Sequence, residues 1–247
     1  MFTHVLGHDR KGRRIPRLIM LFGIAAVAGA ATTAAVASGN PPELPMSNLN
    51  TAAGNLKTLK GGVSYQASSF PVALRVTVPD GTWGGAQWKT SSHGKPAFGW
   101  AAVGHPPLDN PRGVISLETA FGPTPSVAAT VARLRAGGSH APETNIGGTT
   151  FQEPSPVKLA GYSGRQFDGN VWGIYGHTFI PFSPKTHGAS PPDSFRLEKA
   201  ELFRIIVLNV RGKTVVLLLE NWKLPAEQFP TFLTSANKLL KSLKFPG

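Results

Sequence analysis

Apolar residues recur along this chain in three ways: one long uncharged run near the N-terminus, several short stretches of alternation, and two stretches of helical spacing. Val72, Leu74, Val76 and Val78 alternate with Ala73, Arg75 and Thr77, the period of a strand with one buried face. Pro79-Asp80-Gly81 then demands a turn. Residues 97–103 predict a second strand and residues 114–121 a third, with Ile115, Leu117, Thr119 and Phe121 on one side. After Pro125-Ser126 the period lengthens. Val127, Val131 and Leu134 share one helical face, and Gly137-Gly138 closes that helix. A Pro/Gly/Thr-rich stretch, 138–156, reads as a short hairpin or a binding loop, and a second loop spans 181–193. Between them, residues 157–159, 165–167 and 171–175 predict short strands around Gly161 and Gly164.

The last third is the most legible. Residues 202–210 and 214–220 flank Arg211-Gly212-Lys213, the pattern of a hairpin with a turn glycine. Residues 215–219 are continuously apolar, as expected of a central strand covered on both faces. Phe229, Leu233, Ala236, Leu240 and Leu243 follow at helical spacing, with Pro230 tolerated in the first turn. This helix is expected to cover one face of the sheet and the 127–135 helix the other. The predicted class is α+β: an antiparallel β-sheet packed against a C-terminal amphipathic helix and a second helix.

The long uncharged run changes the picture from fold to location. Arg10, Lys11, Arg13, Arg14 and Arg17 precede an uncharged stretch from Leu18 to Ala37, and Ala35-Val36-Ala37 offers the small–x–small pattern of a signal-peptidase site. The positive patch is expected to stay cytoplasmic while the apolar segment enters the bilayer. Residues 1–37 therefore read as a signal peptide cleaved after Ala37, or as an uncleaved N-terminal membrane anchor, since the run is also long enough to span. The weakly apolar Ala31–Ala37 end favours cleavage. Arg13-Arg14 is a twin arginine, although Pro16-Arg17 follows where such signals carry apolar residues. Residues 38–60, with Pro41-Pro42 and Pro45, read as a flexible linker, and 61–247 as a single globular α+β domain. The expected localisation is extracytoplasmic, secreted or anchored to the cell membrane.

The chain has no cysteine, which removes disulfides, thiol catalysis, thiolate metal sites and a lipid-modified cysteine together. Of its 25 basic and 13 acidic residues, five basic ones and Asp9 lie in the first 37, leaving a formal +8 on the remainder. That balance suits solubility, and it equally suits an anionic envelope partner. Lys238, Lys241 and Lys244 recur near the end of the last helix, where positive charge is favoured by the helix dipole without any ligand.

The C-terminal layout, 204–216 followed by Phe229-Pro230-Thr231-Phe232-Leu233 and Leu240-Lys241-Ser242-Leu243, resembles secreted, uncharacterised actinobacterial proteins. More loosely, it looks like the PsbP-like domains. That second resemblance implies an antiparallel sheet between helices, usually in non-catalytic accessory or binding proteins, and carries no catalytic residue to transfer.

Reaction chemistry is sparse. Gly161-Tyr162-Ser163-Gly164 approaches the nucleophile elbow, but position 165 is Arg and no helix pattern follows, so a turn between strands is expected. His93, His105, His140, His177 and His187 show no helical pair spacing for zinc; His177, His187 and Asp193 could meet only if a loop folds them together. Asp168, Glu198, Glu201 and Glu220 lie near strands and are the carboxylates open to glycoside-type hydrolysis. The glycine pairs lack the partners of a phosphate-binding or dinucleotide loop. No cofactor and no metal are expected.

Aromatic residues offer the ligand-binding candidates. Trp83, Trp88, Phe98 and Trp100 cluster in sequence with Lys89 and Lys95, while Trp172, Tyr175, Phe179 and Phe182 form a second group. Exposed, such rings stack on sugars or bases or sit at a membrane interface; buried, they are core. Trp83, Trp88, Trp100, Trp172 and Tyr175 are the candidate contacts. The expected role is a non-catalytic ligand-binding or accessory module of the cell envelope, its ligand a lipid, glycan or peptide, or its partner an envelope protein. A groove between the sheet and the 138–156 or 181–193 loops is the expected site. Nucleic acid is not an expected partner, since no recognition motif is present. The alternatives are an envelope hydrolase using loop histidines and carboxylates, and a structural protein-interaction domain.

Overall fold

A computed structural model describes residues 40–47, 56–89, 93–100, 112–136, 147–173, 176–179, 181–182 and 195–247. All of the described residues belong to one compact unit, Asn40–Gly247. Thirteen described strands run β1 (Lys57–Thr58), β2 (Ser64–Gln66), β3 (Arg75–Thr77), β4 (Trp83–Lys89), β5 (His93–Trp100), β6 (Val114–Ala120), β7 (Gly147–Phe151), β8 (Ser155–Leu159), β9 (Tyr162–Gly173), β10 (His177–Phe179), β11 (Phe195–Leu197), β12 (Leu202–Val210) and β13 (Lys213–Glu220). The helices are α1 (Val127–Ala136), between β6 and β7, and α2 (Phe229–Lys241).

Nine strands form one antiparallel sheet in the order β1-β4-β5-β6-β13-β12-β9-β7, with β8 also on β9. The β12–β13 hairpin is its centre. All of Thr214–Glu220 is buried, because β13 is flanked by β6 and β12 and covered above and below. The connecting Arg211 and Gly212 have φ of 53° and 81°, a two-residue turn whose twist matches the strands. Ala160 and Gly161, at 51° and 86°, make the same kind of turn between β8 and β9.

Each face of the central hairpin has its own core. Ile206, Leu208, Val210, Val215, Leu217 and Leu219 pack with Phe229, Phe232, Ala236, Leu239 and Leu240 of α2. Ile205, Val207, Val216 and Leu218 pack with Val131 and Leu134 of α1. The two helices thus cover opposite faces. Ser126 caps α1, its Oγ accepting a hydrogen bond from the Ala129 N–H at 3.2 Å. Pro230 lies in the first turn of α2. At its other end, the Ser242 Oγ accepts from the Thr77 N–H at 2.9 Å, and Arg75 and Lys244 exchange two backbone hydrogen bonds. These tie α2 to β3.

Several expectations are corrected. Val72, Leu74, Val76 and Val78 are buried as their alternation requires, but only Arg75–Thr77 is strand. It pairs with β2 in a separate ribbon over the α2 face rather than joining the main sheet. Part of the 38–60 segment read as a flexible linker is folded into the body. Leu44, Leu56 and Leu59 are each 1% exposed, β1 pairs with Gly84–Gly85, and Glu43 accepts hydrogen bonds from Gln66, Ser68 and Gln87. Three apolar anchors and a carboxylate held by three donors override the proline-rich composition. The strand expected over 97–103 starts earlier, at His93, and residues 101–103 lie outside the described residues. The short strands expected over 165–167 and 171–175 are one strand, β9, and the 138–156 connection contains β7. β10 and β11, which were not foreseen, pair into a second ribbon, with Phe179, Phe195 and Leu197 in the α1-side core.

Candidate functional site

β9 is the strand that organises the open surface. Its residues alternate strictly: Phe167 and Val171 are buried in the α1-side core, while Gln166, Asp168, Asn170 and Trp172 stand half-buried on the α2 side. On that side α2 covers β12 and β13 but leaves the β9 edge partly open. A cleft of about 300 Å³ lies there, lined by Thr150, Gln152, Asp168, Asn170, Leu202 and Phe229 among others. Arg204 stands opposite Asp168 in register and forms a two-pronged ion pair, Nε to Oδ1 at 2.7 Å and Nη2 to Oδ2 at 2.8 Å. The paired carboxylate holds the guanidinium firmly charged, raising its pKa against the opposing effect of burial. Thr150 donates its hydroxyl to the Asn170 side-chain oxygen across the β7–β9 pair. Trp172 sits opposite Gly148, and its indole crosses that glycine. A Cβ built at Gly148 would meet Cζ2, Nε1 and Cε2 at 3.2–3.3 Å.

The other face of the same strand borders a larger groove of about 610 Å³. Val127, Ala128, Val131, Ala132 and Arg135 of α1 line it, together with Pro154 and Arg165. It exists because the helical face carries small residues next to its buried Val131 and Leu134. Arg135 is engaged by Glu153 at 2.9 Å, but Glu153 is 87% exposed, so the pair is a weak, solvent-screened one. Arg165 is exposed. The groove is apolar along its length and cationic at its edge.

The carboxylates fall into two places. Asp168 belongs to the β9–β12 ion pair. Glu198, Glu201 and Glu220 gather instead near the strand ends where β12 begins and β13 finishes. Glu201 and Glu220 are 6% and 7% exposed, and the Glu201 Oε2 accepts the Glu198 N–H at 2.7 Å. Burial, with the charge of Glu198 adding to it and that hydrogen bond opposing it, pushes Glu201 up to about 7. Burial and then the charges of Glu201 and Glu198 push Glu220 well above the ordinary carboxylate range. None of the three lines either cleft.

The aromatic candidates separate. Trp83 and Trp100 are 0% and 8% exposed and belong to the α2-side core, Trp100 packing on Phe232 at 6.0 Å between ring centroids. This removes both from any surface platform: their strands are roofed by α2 and the β2–β3 ribbon, a fact invisible in local spacing. Trp172 alone of the five candidates is described and half-buried; it lies against Gly148 and lines neither cleft itself. Trp88 lies in β4, its side chain outside the described set, and Tyr175 is outside the described residues. The basic patch from Arg10 to Arg17 and Ala37 also lie outside them. Ser163 of the elbow-like sequence is an exposed strand residue after the β8–β9 turn. His105, His140, His187 and Asp193 lie outside the described residues, and the side chains of His93 and His177 are likewise not described. Among the described residues, no three His, Cys, Asp or Glu side chains converge as metal ligands, and no helix is long and apolar enough to cross a membrane.

Sequence reasoning missed Arg204, Gln152 and Gly148. Arg204 was detectable as a lone cation inside the apolar 202–210 strand. Gly148 was not, because its role depends on which residue lies across the strand pair.

No protein-family model matches the chain, and no curated protein does. The resemblance to PsbP-like domains therefore gains no support. Among solved structures, the chain aligns with one described as the crystal structure of LpqN involved in cell envelope biogenesis of Mycobacterium tuberculosis. The alignment covers 74% of this chain and 91% of that one at 16% identity, with a TM-score of 0.36. At that level the likeness carries neither a shared fold nor a shared role.

Proposed function

We propose that this chain is an exported or membrane-tethered cell-envelope protein whose folded body is a non-catalytic ligand-binding module. The N-terminal sequence supports the location: a basic patch, Arg10 to Arg17, precedes an uncharged segment ending in Ala35-Val36-Ala37. The observation that carries the binding role is the α1–β9 groove. It lies within the size range of small-molecule sites, has an apolar wall, and keeps its few polar groups at one edge. Arg135 and Arg165 at that edge favour a ligand with an apolar body and a negative end, such as an acidic lipid. The groove also borders Pro154, within the 138–156 segment expected to flank a binding site.

Filling the groove tests this reading. Ala128 and Ala132 are exposed, so Ala128→Trp and Ala132→Trp block it without entering the core. The full chain is titrated with sodium palmitate, and binding is read by native mass spectrometry and calorimetry. Both variants are expected to lose at least roughly tenfold in affinity, about 1.4 kcal/mol, and Arg165→Glu to weaken binding in a salt-dependent way. Palmitate binding that is absent, or unchanged in both tryptophan variants, would refute a ligand site in this groove.

A further inference from the structure

Beyond the α1-side groove, we propose that the opposite face of β9 is a saccharide-binding surface, with Trp172 as its stacking platform and Asp168, Asn170 and Arg204 as its hydroxyl-reading groups.

Three observations converge. Trp172 is held flat by an absence: Gly148 lies directly across the β7–β9 pair, and the indole occupies the room its side chain would fill. Trp172 is half-buried, so part of its side chain stays accessible. An aromatic face is electron-rich and attracts the weakly positive C–H groups along one side of a sugar ring. Second, Asp168 and Asn170 project from the same face of the same strand, about 13 Å and about 7 Å from Trp172 at 3.3 Å per residue. That reach suits two or more linked sugar units. Third, these polar groups are preorganised. Arg204 grips Asp168 at two points, and Thr150 holds Asn170, so each planar side chain keeps a fixed orientation while the cleft beside it stays open.

The charge balance selects the ligand class. The Arg204 guanidinium is paired with Asp168 at 2.7 Å, which weakens its pull on a phosphate or a nucleic acid. It offers fixed donors and acceptors side by side, which matches vicinal hydroxyls that each donate and accept. The cleft's apolar residues, Leu202 and Phe229, suit the C–H edge of a pyranose rather than a bare charge. The two faces of β9 would then serve different ligands, an uncharged glycan on one and an amphiphile on the other.

The test uses the full chain with maltotriose, cellotriose and chitotriose, by calorimetry and by retardation in gels containing the matching soluble polysaccharides. Wild type is expected to bind at least one of them, and Trp172→Ala to weaken that binding roughly tenfold, the upper scale of one aromatic contact. Trp172→Phe should recover part of the loss, which a merely structural tryptophan would not require. Asn170→Ala leaves the ring in place and should also weaken binding, so the idea stays exposed if Trp172→Ala fails to fold. No binding of any of these sugars by wild type overturns the proposal, as does unchanged affinity in Asn170→Ala or in a folded Trp172→Ala. Failure here would leave the palmitate titration unaffected, since that groove lies on the other face.

Discussion

Replacing the two buried carboxylates at the strand ends should change how stability depends on pH, and the sign follows from their surroundings. Glu201 is raised from 4.5 to about 7, first by burial, against its hydrogen bond from Glu198 and with the help of the Glu198 charge. Glu220 is also raised, well above the ordinary carboxylate range, by burial and then by the charges of Glu201 and Glu198. Arg196 meets Glu198 at 3.4 Å and is largely exposed, so it does little to offset the buried charges. A carboxyl raised on folding holds its proton more tightly in the native state than in the unfolded chain. Its stabilisation is therefore complete below about pH 4.5 and is lost as pH rises through the folded value. At about 1.4 kcal/mol per unit, Glu201 alone contributes up to about 3 kcal/mol that disappears between pH 4.5 and about 8. Glu201→Gln/Glu220→Gln keeps the shape and an acceptor for the Glu198 N–H but cannot ionise. Urea unfolding followed by circular dichroism, at half-unit steps from pH 4.5 to 8.5, reads the difference between wild type and variant. With a slope of about 2 kcal/mol per molar urea, the variant's midpoint should exceed that of wild type by at least roughly 1.5 M at pH 8.5, the share of Glu201 alone, and match it near pH 4.5. Equal midpoints at both ends would refute the argument. So would a variant less stable than wild type at high pH, because then the charged forms are being stabilised rather than penalised.

Phe232, fully buried on the inner face of α2 and packed on Trp100 and Phe229, should cost about 4 kcal/mol as Phe232→Ala, lowering the calorimetric Tm by roughly 10 °C. Gly164→Ala should cost about 1–3 kcal/mol in denaturant unfolding, because its Cβ would fall 2.0 Å from the Val207 carbonyl oxygen on the neighbouring strand; a neutral result would mean β9 has room to move. Double-mutant cycles should give a coupling above about 1 kcal/mol for the part-buried, two-pronged Arg204–Asp168 pair, and below about 0.5 kcal/mol for Arg135–Glu153. Equal couplings would contradict the role given to burial and geometry.

Much of the fold was readable because it is written in local periods. The β12–β13 hairpin, both helices and their opposite faces follow from spacing at two and at 3.6, and from a turn glycine. The spacer reading of 38–60 was wrong for its packed parts because proline-rich composition reports local stiffness and says nothing of distant partners. Leu44, Leu56 and Leu59 are held by strands and side chains far along the chain. The site was less legible still. Trp83, Trp100 and Trp172 are alike in sequence, yet two are roofed by the helix and ribbon, and one lies against a glycine of the neighbouring strand β7.

The sequence by itself determined the class of fold, the hairpin at its centre and the spacing of its helices. Each depends on neighbours within a few residues. Only the tertiary structure decided that β9 lies beside β12, that its two faces border separate clefts, and that Arg204 meets Asp168 while three glutamates share one corner. Those features depend on strand register between segments tens of residues apart. There, burial and electrostatics are set by whichever element covers a side chain, not by its place in the chain.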